Sequence, residues 1–265
     1  MSQPTVTPSG IDTSVPNIAR VYDYWLGGKD NFAADREMAE RFAAVYPGIA
    51  ELCRNNRDFV CRVAVWAAGA GIRQIVDLGA GLPTVRNTHD AAWAVAPATT
   101  VAYVDHDPVV IRHAEALLVK DERLAAVPAD LTDPAAVWDH PELRAVIDPT
   151  RPVCVILAAV LHFLDVGPAR AVVSGYAERL VPGSAVAISV SHNDDQEQHH
   201  HAHAAYTAGD LHNHSRAEIE SFFGELELVP PGLALAQAWR GGMAEVPLAH
   251  KGSAYILAGV GLVRG

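Results

Sequence analysis

Gln74-Ile-Val-Asp-Leu-Gly-Ala-Gly-Leu-Pro-Thr84 decides the fold. An apolar, strand-type run carries Asp77 near its end, two glycines follow in G-x-G spacing, and a helix-like stretch comes next. Gly79 and Gly81 lack Cβ, so the backbone there can turn sharply and lie against a ligand that a side chain would hold away. A strand running into such a turn and then a helix start makes a nucleotide-type crevice at the carboxyl edge of a parallel sheet. Gly79, Ala80 and Gly81 are therefore candidate contact residues.

The next apolar run, Thr99 to Asp105, also ends in a carboxylate. It lies about one strand-helix-strand unit downstream, where an acid accepts hydrogen bonds from ribose hydroxyls. A third run, Ala125 to Ala129, leads to Asp130. Three acidic strand ends fit a ligand with a ribose, an adenine amino group and a positively charged end. Two cofactor classes use this geometry. A dinucleotide wants G-x-G-x-x-G/A and an open phosphate seat, but the third position here is Thr84 after Pro83, and Asp77, Asp105, Asp107 and Asp130 repel a diphosphate. S-adenosylmethionine, with a sulfonium and an ammonium and no phosphate, suits the acids better. A nicotinamide oxidoreductase stays open as the alternative.

Outward from this stretch, the chain alternates. Strands are expected at 74–78, 100–105, 125–129, 153–159 and 184–190, with helices at 84–95, 108–120 and 167–180. That alternation argues for an α/β fold with a parallel sheet covered on both faces. The run 153–159 is apolar throughout, as a central strand buried on both sides should be. Asp107 before Pro108 reads as a helix N-cap, Asp133-Pro134 as a helix start, and Ser215 with Glu218 as a capping box for a helix at 215–223. Strands near 226–229 or 233–238, and at 253–263, would close the sheet with antiparallel pairing.

Upstream, residues 16–69 read as three helices: one from Pro16 stopped by Gly27-Gly28, one from about Asn31 to Tyr46, and one from about Ile49 to Ala68. Three units are expected: a polar, disordered lead-in over 1–15, a helical cap or lid over 16–70, and the cofactor-binding domain over 71–265. The length of 265 residues accommodates this. Twenty basic against 31 acidic residues give a net charge of −11, which opposes nucleic acid as a partner. No apolar run reaches membrane-spanning length without Gly, Pro or charge, and the N-terminus lacks a signal-peptide pattern. Cys53, Cys61 and Cys154 show no paired spacing and read as reduced thiols of a cytoplasmic protein.

Asp77-Leu-Gly-Ala-Gly-Leu-Pro83, Tyr103-Val-Asp-His-Asp-Pro108, Ala129-Asp-Leu-Thr-Asp-Pro134 and Val160-Leu-His-Phe-Leu164 resemble, in order, the motifs of class I methyltransferases. The wording is closest to a bacterial S-adenosylmethionine-dependent family that began as a domain of unknown function. Ala19 to Arg36 resembles that family's own N-terminal signature. The resemblance runs from about residue 15 to the C-terminus. It implies a Rossmann-like, mainly parallel seven-stranded sheet with an N-terminal helical cap. It also implies S-adenosylmethionine as cofactor and no metal.

On that resemblance, Asp105 holds the ribose, Asp130 beside Leu131 accepts from the adenine amino group, and Asp77 orients the loop or reaches the ammonium through water. His106 either stacks by the adenine or is an exposed loop histidine. Ala158 and Ala159 leave room for the methionine moiety. Many relatives have an acid or Asn there, so the polar motif of amino-methylating DNA enzymes is missing. Arg57 is a candidate partner for the cofactor carboxylate. Tyr22, Tyr24, Asn31 and Asp35, crowded around the Gly-Gly break, are candidate lid or substrate residues. His162 is the candidate general base, since a histidine pKa lies near working pH. It is also the only reason to place oxygen ahead of nitrogen in a small-molecule acceptor. A protein that binds the cofactor without turnover is the other reading. The histidines of 192–214 lack a cysteine or ordered carboxylate set, so a polar insert is favoured over a metal site.

Overall fold

The computed structural model describes residues 12–84, 86–241 and 254–265. Most of the expected lead-in, and residue 253 of the expected last strand, lie outside them. In chain order the helices are α1 (Ile18–Leu26), α2 (Ala33–Val45), α3 (Ile49–Gly69), α4 (Thr88–Trp93), α5 (Pro108–Leu117), α6 (Pro134–Asp139), α7 (Pro141–Val146), α8 (Val166–Ala177), α9 (Gln196–Ala205) and α10 (Arg216–Ser221). The strands are β1 (Gln74–Leu78), β2 (Thr100–Asp105), β3 (Leu124–Pro128), β4 (Cys154–Ala158), β5 (Ala185–Asn193), β6 (Glu227–Leu228), β7 (Ala234–Leu235) and β8 (Ala254–Leu262).

The sheet order is β3-β2-β1-β4-β5-β8-β6, with β7 also paired to β8. Strands β1 to β5 run parallel, and β8 is antiparallel to β5, β6 and β7. Among the described residues the sheet thus has eight strands where seven were expected. The excess is the two-residue β7, one of two alternatives that the sequence left open for the same place. Successive strands step one way from β1 to β3 and the other way from β4 to β5. The reversal leaves a crevice outside the carboxyl ends of β1 and β4, where ligands of such sheets bind.

Alternation along each strand builds two core layers. Ile75, Cys154, Ile156, Ala185 and Ala187 pack with the C-terminal half of α3. Val76, Leu78, Val155, Leu157, Val186 and Ile188 face the other layer with Val172, Val173 and Tyr176 of α8. A third cluster joins α1, α2 and α9 through Val21, Trp25, Met38, Phe42, Ala202 and Tyr206, with Cys53 of α3. Helix α3 therefore serves both the sheet and the cap, and α9 adds a cap element from far downstream of residue 70.

Local chemistry sets the helix ends. Helix α1 starts at Ile18, so Pro16 precedes the helix and does not lie in its first turn. Asn17 caps it by accepting from Arg20 N at 3.1 Å, and Gly27 closes it in the left-handed region at φ 83°. Asp107 caps α5 by accepting from Val109 N at 2.7 Å, with Pro108 in the first turn. Ser215 and Glu218 form the reciprocal pair that starts α10.

Candidate functional site

A cavity of about 520 Å³ opens at the carboxyl ends of the parallel strands. Its floor is the turn after β1. Gly79 and Gly81 both have positive φ (65° and 67°), which favours glycine. A Cβ on Gly79 would lie 2.4 Å from Val160 Cγ1, so the β1 and β4 ends could not close on each other. A Cβ on Gly81 would meet nothing within 4 Å.

The amides of this turn are spent on β2. Gly79 N and Ala80 N both donate to Val104 O, at 2.9 and 3.1 Å, and Gly81 N donates to Asp105 Oδ2 at 3.0 Å. The helix that follows is sealed as well: Asn87 and Asp90 form a capping box, and Asn87 Oδ1 accepts from Thr84 N at 3.0 Å. A phosphate needs free N–H groups at this place, and the amides of Gly79, Ala80 and Gly81 are already taken. The dinucleotide alternative loses its seat.

Carboxylates line the same floor. Asp105 is 8% exposed and accepts from the Gly81 and Asp107 amides. Burial pushes its pKa up against those two hydrogen bonds. Asp77 is buried and accepts from Thr88 Oγ1 at 2.6 Å. Its pKa is also raised by burial, with Arg57 and Thr88 opposing. Arg57 Nη2 donates to the same Thr88 hydroxyl at 3.4 Å, and Nε donates to Arg86 O. Asp130 accepts from the Thr132 amide and hydroxyl, each at 2.8 Å. Partial burial works against its ionisation, but these bonds prevail and hold the carboxyl below its usual range. His106, mostly exposed, stands beside Asp105, and Leu131 and Ala158 complete this side of the lining.

At the end of β4, Ala159 takes φ 57°, a left-handed conformation that a non-glycine residue rarely adopts. Its N–H donates to both the carbonyl and the hydroxyl oxygen of Ser189, each at 3.0 Å. Ser189 Oγ donates on to Asn56 Oδ1 (2.5 Å), Asn56 Nδ2 donates to Tyr22 Oη (3.0 Å), and Tyr22 donates to Cys53 O (3.1 Å). One buried chain of bonds thus ties the cap to the tip of β4. Asn56 and Ser189 were not singled out in the sequence. A polar residue on the apolar face of α3, and another in an apolar strand, were the available signals.

The expected lid residues divide. Tyr22 lines the cavity. Tyr24, Asn31 and Asp35 do not. Tyr24 is bonded to Glu40, and Asn31 Nδ2 donates to Asp23 Oδ2 at 2.9 Å. Asp35 is fully buried, pairs with Arg20 at 2.9 Å and accepts from Asn17 N and Phe32 N. The polar crowding around the Gly-Gly break is structural. It closes the α1–α2 turn and fixes the start of both helices.

The outer part of the cavity is aromatic. Trp25, Phe42, Tyr46, Phe163 and Tyr206 form one contiguous ring cluster, with centroids 5.2 to 6.4 Å apart. His162 packs on Phe163 at 4.5 Å. Burial, reinforced by His214, His199 and His212, pushes the His162 pKa down to about 3. A ring that gives up its proton so readily is a poor general base, so the expected base role and the expected preference for oxygen acceptors both lose their support. Of the histidine run, His192 and His199 line the cavity, while His214 is buried against Leu161 O. Among the described residues no group of three or more His, Cys, Asp or Glu could hold a metal ion.

Residues 4–264 match a family described as S-adenosyl methyltransferase. The chain belongs to that family. A methyltransferase candidate from Thermobifida fusca has a crystal structure 38% identical in sequence to this S-adenosyl methyltransferase. It superposes with a TM-score of 0.90 over 98% of this chain and 100% of that one. A protein of the DUF574 family from Streptomyces avermitilis is 36% identical, with a TM-score of 0.86 over 95% and 98%. No curated protein matches the chain. The methyltransferase therefore has the Rossmann-like fold and the S-adenosylmethionine cofactor that its sequence motifs implied. No described helix is long and apolar enough to cross a membrane.

Proposed function

We propose that Asp105 and Asp130 receive the nucleoside end of S-adenosylmethionine, that Asp77 and Arg57 hold its amino-acid end, and that the aromatic part of the cavity holds a small-molecule methyl acceptor. The supporting observation is one continuous cavity with carboxylates at its floor, the Gly79 to Gly81 amides already bonded, and an aromatic wall supplied by the cap. Acids that repel a diphosphate attract an ammonium and a sulfonium. When bound, the cofactor supplies an electrophilic methyl group, and its positive charge is neutralised on transfer.

This chain's own residues then have two tasks. The network from Tyr22 to Ala159 fixes the cap over the β4 tip, which limits how donor and acceptor can meet. The rings keep water from the reacting centre, which favours a step that loses charge. The net charge of −11 and a cavity of about 520 Å³ suit a small acceptor rather than a nucleic acid.

Calorimetric titration with S-adenosylhomocysteine tests the placement. Hydrogen bonds to a carboxylate contribute about 1.5–3 kcal/mol each, so Asp105→Ala should weaken binding at least about tenfold. Asp105→Asn, which keeps one acceptor oxygen, should lose less. Unchanged affinity in Asp105→Ala overturns the ribose role.

A further inference from the structure

Two polar groups in the aromatic part of the cavity are left over once the protein's own bonds are assigned. Tyr206 is 7% exposed, and its hydroxyl has no hydrogen-bond partner among the described residues. His162 is 8% exposed. The Ser191 amide donates to its Nδ1 at 3.4 Å. That bond requires a lone pair on Nδ1, so the neutral ring carries its proton on Nε2, which has no hydrogen-bond partner among the described residues. Neither atom is sealed inside the protein: both residues line the ligand cavity, where a ligand can reach them.

The two groups flank one ring. His162 packs on Phe163 at 4.5 Å, and Phe163 stacks on Tyr206 at 5.9 Å and 25°. Beyond Tyr206 lie Phe42 and Trp25, so the walls are broad and flat. Among the described residues this part of the lining carries no permanent charge. Among the described residues the only arginine or lysine lining the cavity is Arg57, which is held at the floor by Arg86 O and Thr88, among four aspartates.

We infer that the methyl acceptor is a flat, uncharged aromatic or heteroaromatic molecule with a hydrogen-bond-accepting oxygen or nitrogen. It lies against the Phe163 and Tyr206 rings and accepts from the His162 Nε2–H and the Tyr206 hydroxyl. Flat rings gain stacking against such walls, and a site built around buried donors discriminates strongly against analogues that lack the acceptor atom. Among the described residues an anion would meet no cation in this chamber, and it would face the carboxylates of the floor. His162 is on this account a specificity-determining donor. The inference rests on the proposed division of the cavity between donor and acceptor.

The test uses the full chain saturated with S-adenosylhomocysteine and three probes of similar size, titrated calorimetrically at pH 7. Chromone is flat and neutral with one carbonyl, 2-naphthoate is flat and anionic, and 2-decalone is a neutral saturated ketone. Chromone should bind at least tenfold tighter than either of the others. Tyr206→Phe, which keeps the ring, and His162→Phe should each weaken chromone binding about threefold to tenfold, with S-adenosylhomocysteine affinity unchanged. Equal or tighter binding of 2-naphthoate, no binding of chromone, or full chromone affinity in both variants overturns the inference. Failure of S-adenosylhomocysteine to bind the unmodified protein would instead bring down the proposed placement of the cofactor.

Discussion

Asp77 sits with its carboxylate in the interior of the sheet edge, bonded to the Thr88 hydroxyl and near the Arg57 guanidinium. Burial raises its pKa despite both partners, so its charge is a burden to the fold, one that the proposed contact with the cofactor ammonium would account for. A raised carboxylate pKa means that the folded state favours the neutral form. The stabilisation is present below the ordinary value near 3.8 and is lost as pH rises through the folded value. At neutral pH, Asp77→Asn should therefore raise the Tm of the cofactor-free protein, by roughly 2–4 °C for each kcal/mol relieved. The same variant should weaken binding of S-adenosylhomocysteine, because the ammonium loses its counter-charge. Thermal scans and calorimetry on one preparation check both halves. A lower Tm, or unchanged binding, would show that Asp77 is an ordinary structural acid.

At the scale of elements, the α1–α2 turn shows how much of the N-terminal signature is geometry. Asp23 Oδ2 accepts from Asp30 N at 3.0 Å and from Asn31 Nδ2 at 2.9 Å, and Gly28 lies so close that an added Cβ would sit 1.9 Å from Asp23 Oδ1. Gly28→Ala must displace the carboxylate and release those bonds, at a cost of roughly 2 kcal/mol. It should lower the denaturation midpoint clearly and leave S-adenosylhomocysteine affinity almost unchanged, since the turn lies outside the cavity. Adding Asp23→Ala should recover part of the loss, a coupling that a double-mutant cycle measures. Loss of affinity without loss of stability would return this turn to the lid.

The same element contrast explains what could be read beforehand. Strand runs and acidic strand ends were legible because period-2 burial and G-x-G turns leave local marks. Helix α9 was not: its His- and Gln-rich sequence buries only Ala202 within the helix, so no apolar period announced it. Its sequence marks were the N-cap Asp195 and, just beyond the helix, Tyr206. Helix α7 was missed although His140-Pro141 offers a cap followed by proline, as in α6. The aromatic chamber could not be read because its rings come from α1, α2, the turn after β4 and the end of α9, and only tertiary packing brings them together.

For the whole molecule, the buried histidines and buried acids set opposed responses to pH. His89, His162, His199 and His214 all have pKa values lowered first by burial, His162 to about 3. An unfolded histidine titrates near 6.5, so below that value the unfolded chain binds protons that the folded chain refuses. Stability from these groups is complete above about pH 6.5 and is lost as pH falls toward their folded values. Each contributes at most about 1.4 kcal/mol per pH unit. Asp23, Asp77 and Asp105, raised by burial, act the other way: the folded chain takes up protons before the unfolded one as pH drops toward 3.8. The unfolded histidines take up their protons around pH 6.5, so the histidine contribution lowers Tm between pH 7 and pH 5, and the raised acids oppose that fall. His162→Phe should flatten that fall, because the residue with the widest window, 6.5 to about 3, is removed. Scanning calorimetry of both proteins across this range decides it: a wild-type Tm that does not change, or a variant with the same slope, would mean that water reaches these rings and that the chamber is wet.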